Sequence, residues 1–356
     1  MVISALGGAM AAENLIPAIV DEMRSVTEGA RVVVAFSGGL DSTTVAALAK
    51  QALGGDHVWL VTVNMGIYNY RRGNQIVLEM AEQLGLEQKC LLGQYVQHRV
   101  QATGPACNRC TREIKLGMVK AVARGRLVLT GANRSDTWGK LGLKVSNGYY
   151  APLLDLDKPQ IRAIAAALGL VVPKIGENPG REGCKLKHLL KPLASPEYHG
   201  RAVADANELL LALVKEAQFP AELANVKIIG PLSRNIALVN LRPAAPPDLA
   251  ERITTALRGL PVLDEVYIVD RPITLIVKAG PAVAGDSHAR YWLQHGRMQP
   301  DFSVPIEVDW RPSTNARLHT FHVVDFHPTP GAEDQSVSPP MIEHVAGSVR
   351  EGAGVS

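Results

Sequence analysis

The sequence lacks the features that would place the protein in a membrane or outside the cell. Among its 356 residues, no apolar run approaches the ~18–20 residues that span a bilayer. The apolar-leaning start has no basic segment before it and no clear secretory cleavage pattern. We therefore expect a cytoplasmic protein without membrane contact, and the length predicts two or three domains.

The sequence has little net charge and few cysteines. The formal net charge of +3 is too small to identify a nucleic-acid binder by itself. Four cysteines in a cytosolic chain of this size do not indicate a disulfide framework. Metal binding or redox chemistry is the better interpretation of the close pair Cys107 and Cys110.

Several catalytic motifs are missing as well. The Walker pattern G-x-x-x-x-G-K-[ST] and the dinucleotide fingerprint G-x-G-x-x-G are absent from the loop at residues 37–42. The nucleophile elbow G-x-S-x-G is missing, so a serine hydrolase has no support. The ten histidines are scattered, without an H-E-x-x-H pair.

What the sequence does contain is an alternation of strands and helices over residues 31 to about 195. Three β-branched runs, "RVVVAF", "VWLVTVN" and "RLVLTGAN", each end in a polar or glycine-containing turn, and helical patterns accompany them at 41–53, 73–84 and 111–124. This order predicts an α/β fold with a parallel sheet. The turns at Ser37, Asn64 and Gly131 to Asn133 would then meet at one rim of that sheet.

The pattern predicts further parts of the chain on either side. We expect an N-terminal helical cap (1–30), the α/β domain (31–198), a helical linker (199–224), a smaller α+β domain (225–328) and a flexible tail (329–356). The order βαββαβ of the smaller domain suits a ferredoxin-like module. Its strands "DEVYIVD" and "ITLIVKAG" would lie on either side of a tight turn.

The loop "SGGLDS" at residues 37–42 joins the first strand to the next helix. Gly38 and Gly39 permit positive φ and bring backbone N–H groups close to a ligand, and the helix N-terminus suits a phosphate. Asp41 would repel a bare phosphate, so its presence indicates Mg²⁺ bound with the phosphate oxygens. For two glycines and an aspartate alone, a tight turn with a helix cap is the simpler alternative.

The complete motif S-G-G-x-D-S between a strand and a helix resembles the signature of the PP-loop ATP pyrophosphatase superfamily, whose members cleave ATP between the α- and β-phosphates. The resemblance implies that ATP and Mg²⁺ bind here, that a substrate oxygen attacks the α-phosphate, and that a nucleophile then displaces AMP. It assigns nucleotide binding to Ser37, Gly38, Gly39, Asp41, Ser42, Asn64 and Gly131.

Three of the cysteines could form one centre. Cys107 and Cys110 form a C-x-x-C pair, and Cys184 follows about seventy residues later. The interpretations are a zinc site with a further ligand such as His188, a [4Fe-4S] cluster whose open iron could hold a sulfide, or three unrelated cysteines. Cys90 lies in a predicted buried strand and is expected to be a packed free thiol.

Residues 129–184 carry a second resemblance. They contain G-x-N-x-x-D, A-P-L-L and K-x-x-I-R-x-I-A-x-x-L-G-L in order, then a proline and Cys184. This order resembles the sacrificial sulfur transferases that build the nickel-pincer cofactor, and the C-x-x-C pair resembles their iron–sulfur branch and the cluster-dependent tRNA-thiolation enzymes. The resemblance implies a [4Fe-4S] cluster on Cys107, Cys110 and Cys184, with Cys184 in the sulfur-donor position. Leu40 departs from one RNA-thiolating branch, which typically has Lys there.

Two further features concern the substrate. Asp136 is a candidate to bind Mg²⁺ or to handle a proton, although a turn or helix cap would explain it equally well. Between Cys107 and Lys144, nine Lys or Arg stand against two acidic residues. A solvated face often carries such charge, but the excess suggests an anionic substrate and would lower the pKa of the thiols.

We therefore predict an AMP-forming sulfur transferase of the ATP pyrophosphatase type, with Asp41, Asp136 and Cys184 as catalytic residues. The acceptor would be tRNA or a phosphorylated small molecule, the sulfur would come from sulfide, a donor protein or Cys184, and a homodimer is one option for assembly. Two alternatives stay open. One is an amide ligase that uses ammonia and holds structural zinc, although no glutaminase segment is visible. The other is a non-catalytic ATP- or RNA-binding protein.

Overall fold

The computed structural model of this protein describes residues 12–135, 143–173 and 183–329. The strands of its largest sheet are β1 (Val32–Ala35), β2 (Val58–Asn64), β3 (Gln88–Leu92), β4 (Val128–Leu129), β5 (Val145–Ser146) and β6 (Tyr149–Tyr150). Their spatial order is β3-β2-β1-β4-β6-β5. Neighbours are parallel from β3 to β6, and β5 pairs antiparallel with β6. The predicted α/β class with a parallel sheet is confirmed.

The described α-helices surround this sheet or belong to the C-terminal region. They are α1 (Ala12–Thr27), α2 (Leu40–Leu53), α3 (Arg71–Leu84), α4 (Gln94–Gln101), α5 (Cys107–Arg109), α6 (Gly117–Ala123), α7 (Lys158–Ala167), α8 (Arg201–Glu216), α9 (Pro247–Arg258), α10 (Pro281–Ala284) and α11 (Ser287–Tyr291). A π-helical segment, Cys110–Leu116, joins α5 to α6, so the helix predicted at 111–124 begins earlier, at Cys107. None of the described helices combines the length and apolarity needed to cross a membrane.

The first strand shows why the sheet is covered on both faces. Side chains alternate along a strand, and Val32 and Val34 pack with residues of α1 and α2, whereas Val33 packs with residues of α6. Because each face carries apolar side chains, each face needs a helical layer. This packing holds the N-terminus of α2 at the carboxyl end of β1, where the glycine loop lies.

The C-terminal region contains two separate sheets. Its strands are β7 (Leu223–Ile229), β8 (Ile236–Arg242), β9 (Glu265–Ile268), β10 (Ile273–Ala279), β11 (Ile306–Pro312) and β12 (Phe321–Pro328). They form three-stranded sheets of order β7-β8-β9 and β11-β10-β12. The α+β character agrees with expectation, but the strands do not form one ferredoxin-like sheet. β9 pairs with β8 and β10 with β11 and β12, so the two strands beside the tight turn belong to different sheets.

Helix α8 is a packed element and does more than connect two regions. Ala202, Val203 and Leu210 are buried in a core cluster that contains Val226 of β7 and also Tyr68 and Ile114 of the N-terminal region. The Asn207 side chain exchanges hydrogen bonds of 2.9 Å with the backbone of Val226. The two regions therefore share apolar packing around α8. The domain limits expected from the sequence stay predictions.

One burial expectation is wrong. Cys90 lies in a strand, as predicted, but β3 is at the edge of the sheet and Cys90 is exposed. The period-2 pattern of a strand does not reveal whether it has a neighbour on both sides. Most of the predicted tail (330–356) and the first eleven residues lie outside the described residues.

Candidate active site

The loop of residues 37–42 is folded by its own serines. Ser42 Oγ accepts a hydrogen bond from the Ser37 backbone N–H at 3.2 Å, lies 3.1 Å from Ser37 Oγ and donates to the Gly39 carbonyl at 3.1 Å. Gly38 has φ +71°, and a Cβ at this position would lie 2.8 Å from Val77 Cα. Glycine is therefore required at Gly38 both by its backbone conformation and by the close approach of α3.

Asp41 lies in the first turn of α2, and its side chain joins the loop to two distant segments of the chain. Its Oδ2 accepts a hydrogen bond from Asn133 Nδ2 at 3.2 Å and forms an ion pair with Lys158. Its Oδ1 is buried and has no hydrogen-bond partner among the described residues. A buried carboxylate oxygen without a partner is costly, and such an oxygen fits a Mg²⁺ ligand.

Gly131 is placed against the same aspartate. A Cβ built on Gly131 would lie 2.8 Å from Asp41 Cβ and 3.1 Å from the Ser42 backbone nitrogen. Asn64 ends β2, and its Oδ1 accepts a hydrogen bond from the Gly66 N–H at 2.7 Å. Neither Gly131 nor Asn64 is among the described residues that line the cavity beside the loop, so their assignment to nucleotide binding stays a prediction. Asp136 lies outside the described residues.

A cavity of about 1170 Å³ joins the glycine loop to the cysteines. Its described lining includes Ser37, Gly39, Asp41 and Ser42 at one part and Cys107, Cys110 and Cys184 at another. The structure therefore brings together side chains that are at least sixty-five positions apart in the chain. Asp41 is the only acidic side chain among the described lining residues, whereas Lys115, Lys158, Arg162 and Lys187 contribute basic groups.

One amide connects two of the three thiols. Gln97 Nε2 donates to Cys110 Sγ at 3.6 Å and to Cys184 Sγ at 3.5 Å. Cys107 Sγ accepts from Arg297 Nη2 at 3.3 Å. Gln97 thus brings Cys110 and Cys184 close together, and all three cysteines line the same cavity.

The electrostatics of Cys110 differ from the expectation. Burial, and then the proximity of Cys184, raises the pKa of the Cys110 thiol to about 12. Lys115 acts in the opposite direction, but its effect is smaller than the cost of burying a thiolate. The expected lowering of the thiol pKa by nearby basic residues is therefore wrong for Cys110.

The predicted metal centre is not formed by these side chains as they stand. Within 12–135, 143–173 and 183–329, no group of three or more His, Cys, Asp or Glu is arranged to hold a metal ion. Both ring nitrogens of His188 have partners, Tyr70 Oη at 3.1 Å and Lys227 Nζ at 2.8 Å, so His188 is not a zinc ligand here. A [4Fe-4S] cluster does not fit unless Gln97 leaves its place between two sulfurs, and the cluster stays a prediction.

Several cavity residues were missed by the sequence analysis. Lys158 and Arg162 belong to the K-x-x-I-R segment and lie four residues apart on α7, so their shared helix face was a usable signal. Gln97 and Tyr70 had no such signal. Their importance comes from partners on distant segments of the chain.

The N-terminal part of the chain is similar to known proteins. Residues 12–179 match the family described as NAD synthase. This region is therefore similar to NAD synthase, which supports the resemblance to the PP-loop ATP pyrophosphatase superfamily. The matched region includes the glycine loop, Asp41 and the C-x-x-C pair, whereas Cys184 and the C-terminal sheets lie beyond it.

Three relatives illustrate the similarity. One polypeptide of the glutamine-hydrolysing GMP synthase of Methanococcus vannielii is 25% identical over 225 residues, which are 58% of this chain and 68% of the relative. The NH₃-dependent NAD⁺ synthetase of Archaeoglobus fulgidus is 26% identical over a region that covers 57% of this chain and 85% of the relative. The NH₃-dependent NAD⁺ synthetase of Chlorobaculum tepidum is 30% identical over a region that covers 47% of this chain and 63% of the relative. None of these three is named as a sulfur transferase, so the superfamily is supported and the sulfur-transfer branch is not.

Proposed function

We propose that this protein is an AMP-forming enzyme that uses ATP to adenylate a carbonyl or carboxyl oxygen of its substrate and releases pyrophosphate. The observation that carries this proposal is Asp41 in the glycine loop, whose buried Oδ1 has no hydrogen-bond partner among the described residues. The names of the relatives, NAD⁺ synthetase and GMP synthase, support the same chemistry.

The charges of the cavity suit a nucleoside triphosphate with Mg²⁺. Asp41 Oδ1 would hold the metal ion, because hard cations prefer carboxylate oxygens. The described basic residues of the lining, Lys115, Lys158, Arg162 and Lys187, would offset the negative charge of the phosphates. Backbone N–H groups at the N-terminus of α2 would bind the departing pyrophosphate.

The relatives favour ammonia as the nucleophile of the second step. Two are named as NH₃-dependent and one as glutamine-hydrolysing. In an amide ligase, the nitrogen of ammonia bonds to the adenylated carbon, AMP leaves with the activated oxygen, and a proton is lost to solvent. This chemistry gives the cysteines no catalytic role.

A sulfur nucleophile is the second candidate, and a specific observation favours it. Cys107, Cys110 and Cys184 all line the cavity that contains the glycine loop. In this case sulfide would displace AMP from the activated carbon. Alternatively, the Cys184 thiolate would displace AMP, and loss of its Cα proton would then break its Cβ–Sγ bond, which leaves the sulfur on the product and dehydroalanine at position 184. An anionic acceptor, either tRNA or a phosphorylated small molecule, would agree with the basic lining.

The adenylation step can be tested without knowing the second nucleophile. We expect labelled pyrophosphate to exchange into ATP in the presence of Mg²⁺ and an acceptor from a panel of carbonyl-containing nucleotides and bulk tRNA. Asp41→Asn should abolish the exchange, while Asp56→Asn, at an aspartate outside the cavity lining, should retain it. ATP binding without exchange across the whole panel would favour the non-catalytic binding protein.

The second step distinguishes the two nucleophiles. With a productive acceptor, ammonium should give an amide and leave Cys184→Ala active if the protein is a ligase. A thiolated product that is lost in Cys184→Ala would establish sulfur transfer. The cluster hypothesis predicts about four irons per chain in anaerobically purified protein and loss of the colour in each Cys→Ala variant. Colourless protein that contains zinc would exclude the cluster.

A further inference from the structure

A chain of buried hydrogen bonds runs from the C-terminal region to the wall of the cavity. Asp301 Oδ2 accepts from Lys227 Nζ at 3.0 Å, Lys227 Nζ lies 2.8 Å from His188 Nδ1, and His188 Nε2 lies 3.1 Å from Tyr70 Oη. Each of these four residues is at most 3% exposed. Polar groups buried this deeply are costly unless they are paired, and here each one contacts the next.

The four residues come from four separate segments. Lys227 is in β7, and Asp301 ends the short 3₁₀ segment Gln299–Asp301. His188 ends the 3₁₀ turn Lys185–His188, which directly follows Cys184. Tyr70 precedes the first residue of α3 and lines the cavity. The chain of hydrogen bonds thus connects the C-terminal region to two parts of the cavity wall.

The direction of the hydrogen bonds follows from the chemistry of the groups. Burial raises the pKa of Asp301, but neighbouring positive charge, above all that of Lys227, outweighs it and lowers this pKa to about 2, so Asp301 is a carboxylate. A lysine ammonium can only donate, and Lys227 therefore donates to Asp301 and to Nδ1 of His188. A neutral His188 that accepts at Nδ1 carries its hydrogen on Nε2 and donates it to the Tyr70 oxygen.

A second set of contacts holds Tyr70 from the other side. Lys185 Nζ lies 5.6 Å from the centre of the Tyr70 ring and 2.9 Å from Glu208 Oε1. Glu208 Oε1 also accepts from the Arg71 backbone N–H at 2.9 Å. The turn that follows Cys184 and the start of α3 are therefore tied to each other and to α8.

A purely stabilising role is a weak explanation for these buried hydrogen bonds. A buried ion pair can often be replaced by apolar side chains of similar volume without loss of stability. The arrangement does, however, supply something that apolar packing cannot, namely a fixed tautomer of His188 and hence a fixed donor toward Tyr70.

We propose that Asp301, Lys227 and His188 are positioning residues, through which the C-terminal region fixes the Tyr70 hydroxyl and the turn behind Cys184 in the wall of the ATP cavity. Tyr70 is the member of the hydrogen-bond chain that reaches the cavity. The effect of Tyr70 on turnover rests on the proposed adenylation activity. The predicted tautomer of His188 is independent of that activity.

The first test is the ¹⁵N spectrum of the histidine side chains in the full-length protein at pH 7.5, with His188 assigned by its loss in His188→Gln. We expect Nδ1 to be unprotonated and Nε2 to carry the hydrogen. In Lys227→Met/Asp301→Leu, which replaces the ion pair by apolar side chains, the two tautomers should mix. Lys191→Met, at another fully buried lysine, should leave His188 unchanged. A wild-type ring protonated on Nδ1, or an unchanged ring in the double variant, would overturn the proposal.

The second test is a double-mutant cycle on pyrophosphate exchange. Tyr70→Phe and Lys227→Met/Asp301→Leu should each slow exchange about tenfold, the size expected for one lost hydrogen bond, and their combination should lose little more because both act through the same hydrogen bonds. Losses that multiply would contradict the proposal. If the wild-type protein shows no exchange, the adenylation function fails, and the tautomer of His188 still decides on the positioning role.

Discussion

Lys158 forms an ion pair with Asp41, although 117 positions separate the two residues in the chain. Lys158 is the first residue of α7, whose start is fixed by a capping box between Asp157 and Gln160. Asp41 lies in the first turn of α2. The pair therefore joins the beginnings of two helices at the glycine loop. Lys158 remains partly exposed, so under the proposed function it would contact a phosphate when a metal ion binds Asp41.

Substitution of Lys158 should weaken the binding of Mg²⁺-ATP. In Lys158→Gln we expect the Kd for ATP to rise about tenfold or more, because a charge-assisted hydrogen bond contributes roughly 1.5–3 kcal/mol. Lys158→Arg should recover part of the loss. Isothermal titration calorimetry measures both, with Lys120→Gln as a control outside the cavity lining. An unchanged Kd in Lys158→Gln would mean that the lysine serves only to neutralise Asp41.

Gly29 and Gly38 have similar positive φ but should respond differently to alanine. Gly29 has φ +73° and nothing within 4 Å of an added Cβ, whereas Gly38 has φ +71° and Val77 Cα at 2.8 Å. Gly29→Ala should cost about 1 kcal/mol for the left-handed backbone. Gly38→Ala should cost about 3 kcal/mol because overpacking is added, and it should also impair ATP binding. Urea unfolding of both variants tests the difference, and equal losses would show that α3 moves away easily.

The free cysteines should differ strongly in their reaction with iodoacetamide. Cys90 is exposed, whereas Cys110 is buried and its pKa is raised to about 12. At pH 8 only about one Cys110 in ten thousand would be a thiolate. Peptide mass spectrometry should therefore find Cys90 alkylated well before Cys110 in native protein, and both alkylated in urea. Rapid alkylation of Cys110 in native protein would indicate that this end of the cavity opens to solvent.

His199 should make the protein sensitive to acid. Burial, followed by the charge of Lys191, lowers the pKa of His199 from 6.5 to about 4. The unfolded state therefore binds a proton at His199 more readily than the folded state. The contribution of neutral His199 to the free energy of unfolding is complete above pH 6.5 and is lost as the pH falls toward 4. This loss amounts to at most about 3 kcal/mol. Urea unfolding between pH 7 and 4 should show a shallower decline in His199→Gln, and identical pH profiles would refute the assignment.

The fold was predictable where a segment carries its own periodicity. The strand at 32–35, the helices at 40–53 and 71–84, and the α/β order all follow from local patterns of apolar residues. The exposure of Cys90 was not predictable, because it depends on which strand forms the edge of the sheet. The separation of β9 from β10 was equally hidden, because strand partners are chosen by packing between distant segments.

The sequence by itself determined the chemistry of the glycine loop. Ser37, Gly38, Asp41 and Ser42 lie within six positions of the chain, and the required backbone conformation and hydrogen bonds are local. Only the tertiary structure decided which groups surround that loop. Lys158 reaches Asp41, and Gln97 contacts both Cys110 and Cys184, because the parallel strands end at one rim and carry distant segments to it. The burial that raises the pKa of Cys110 arises from this packing, and a sequence motif does not contain it.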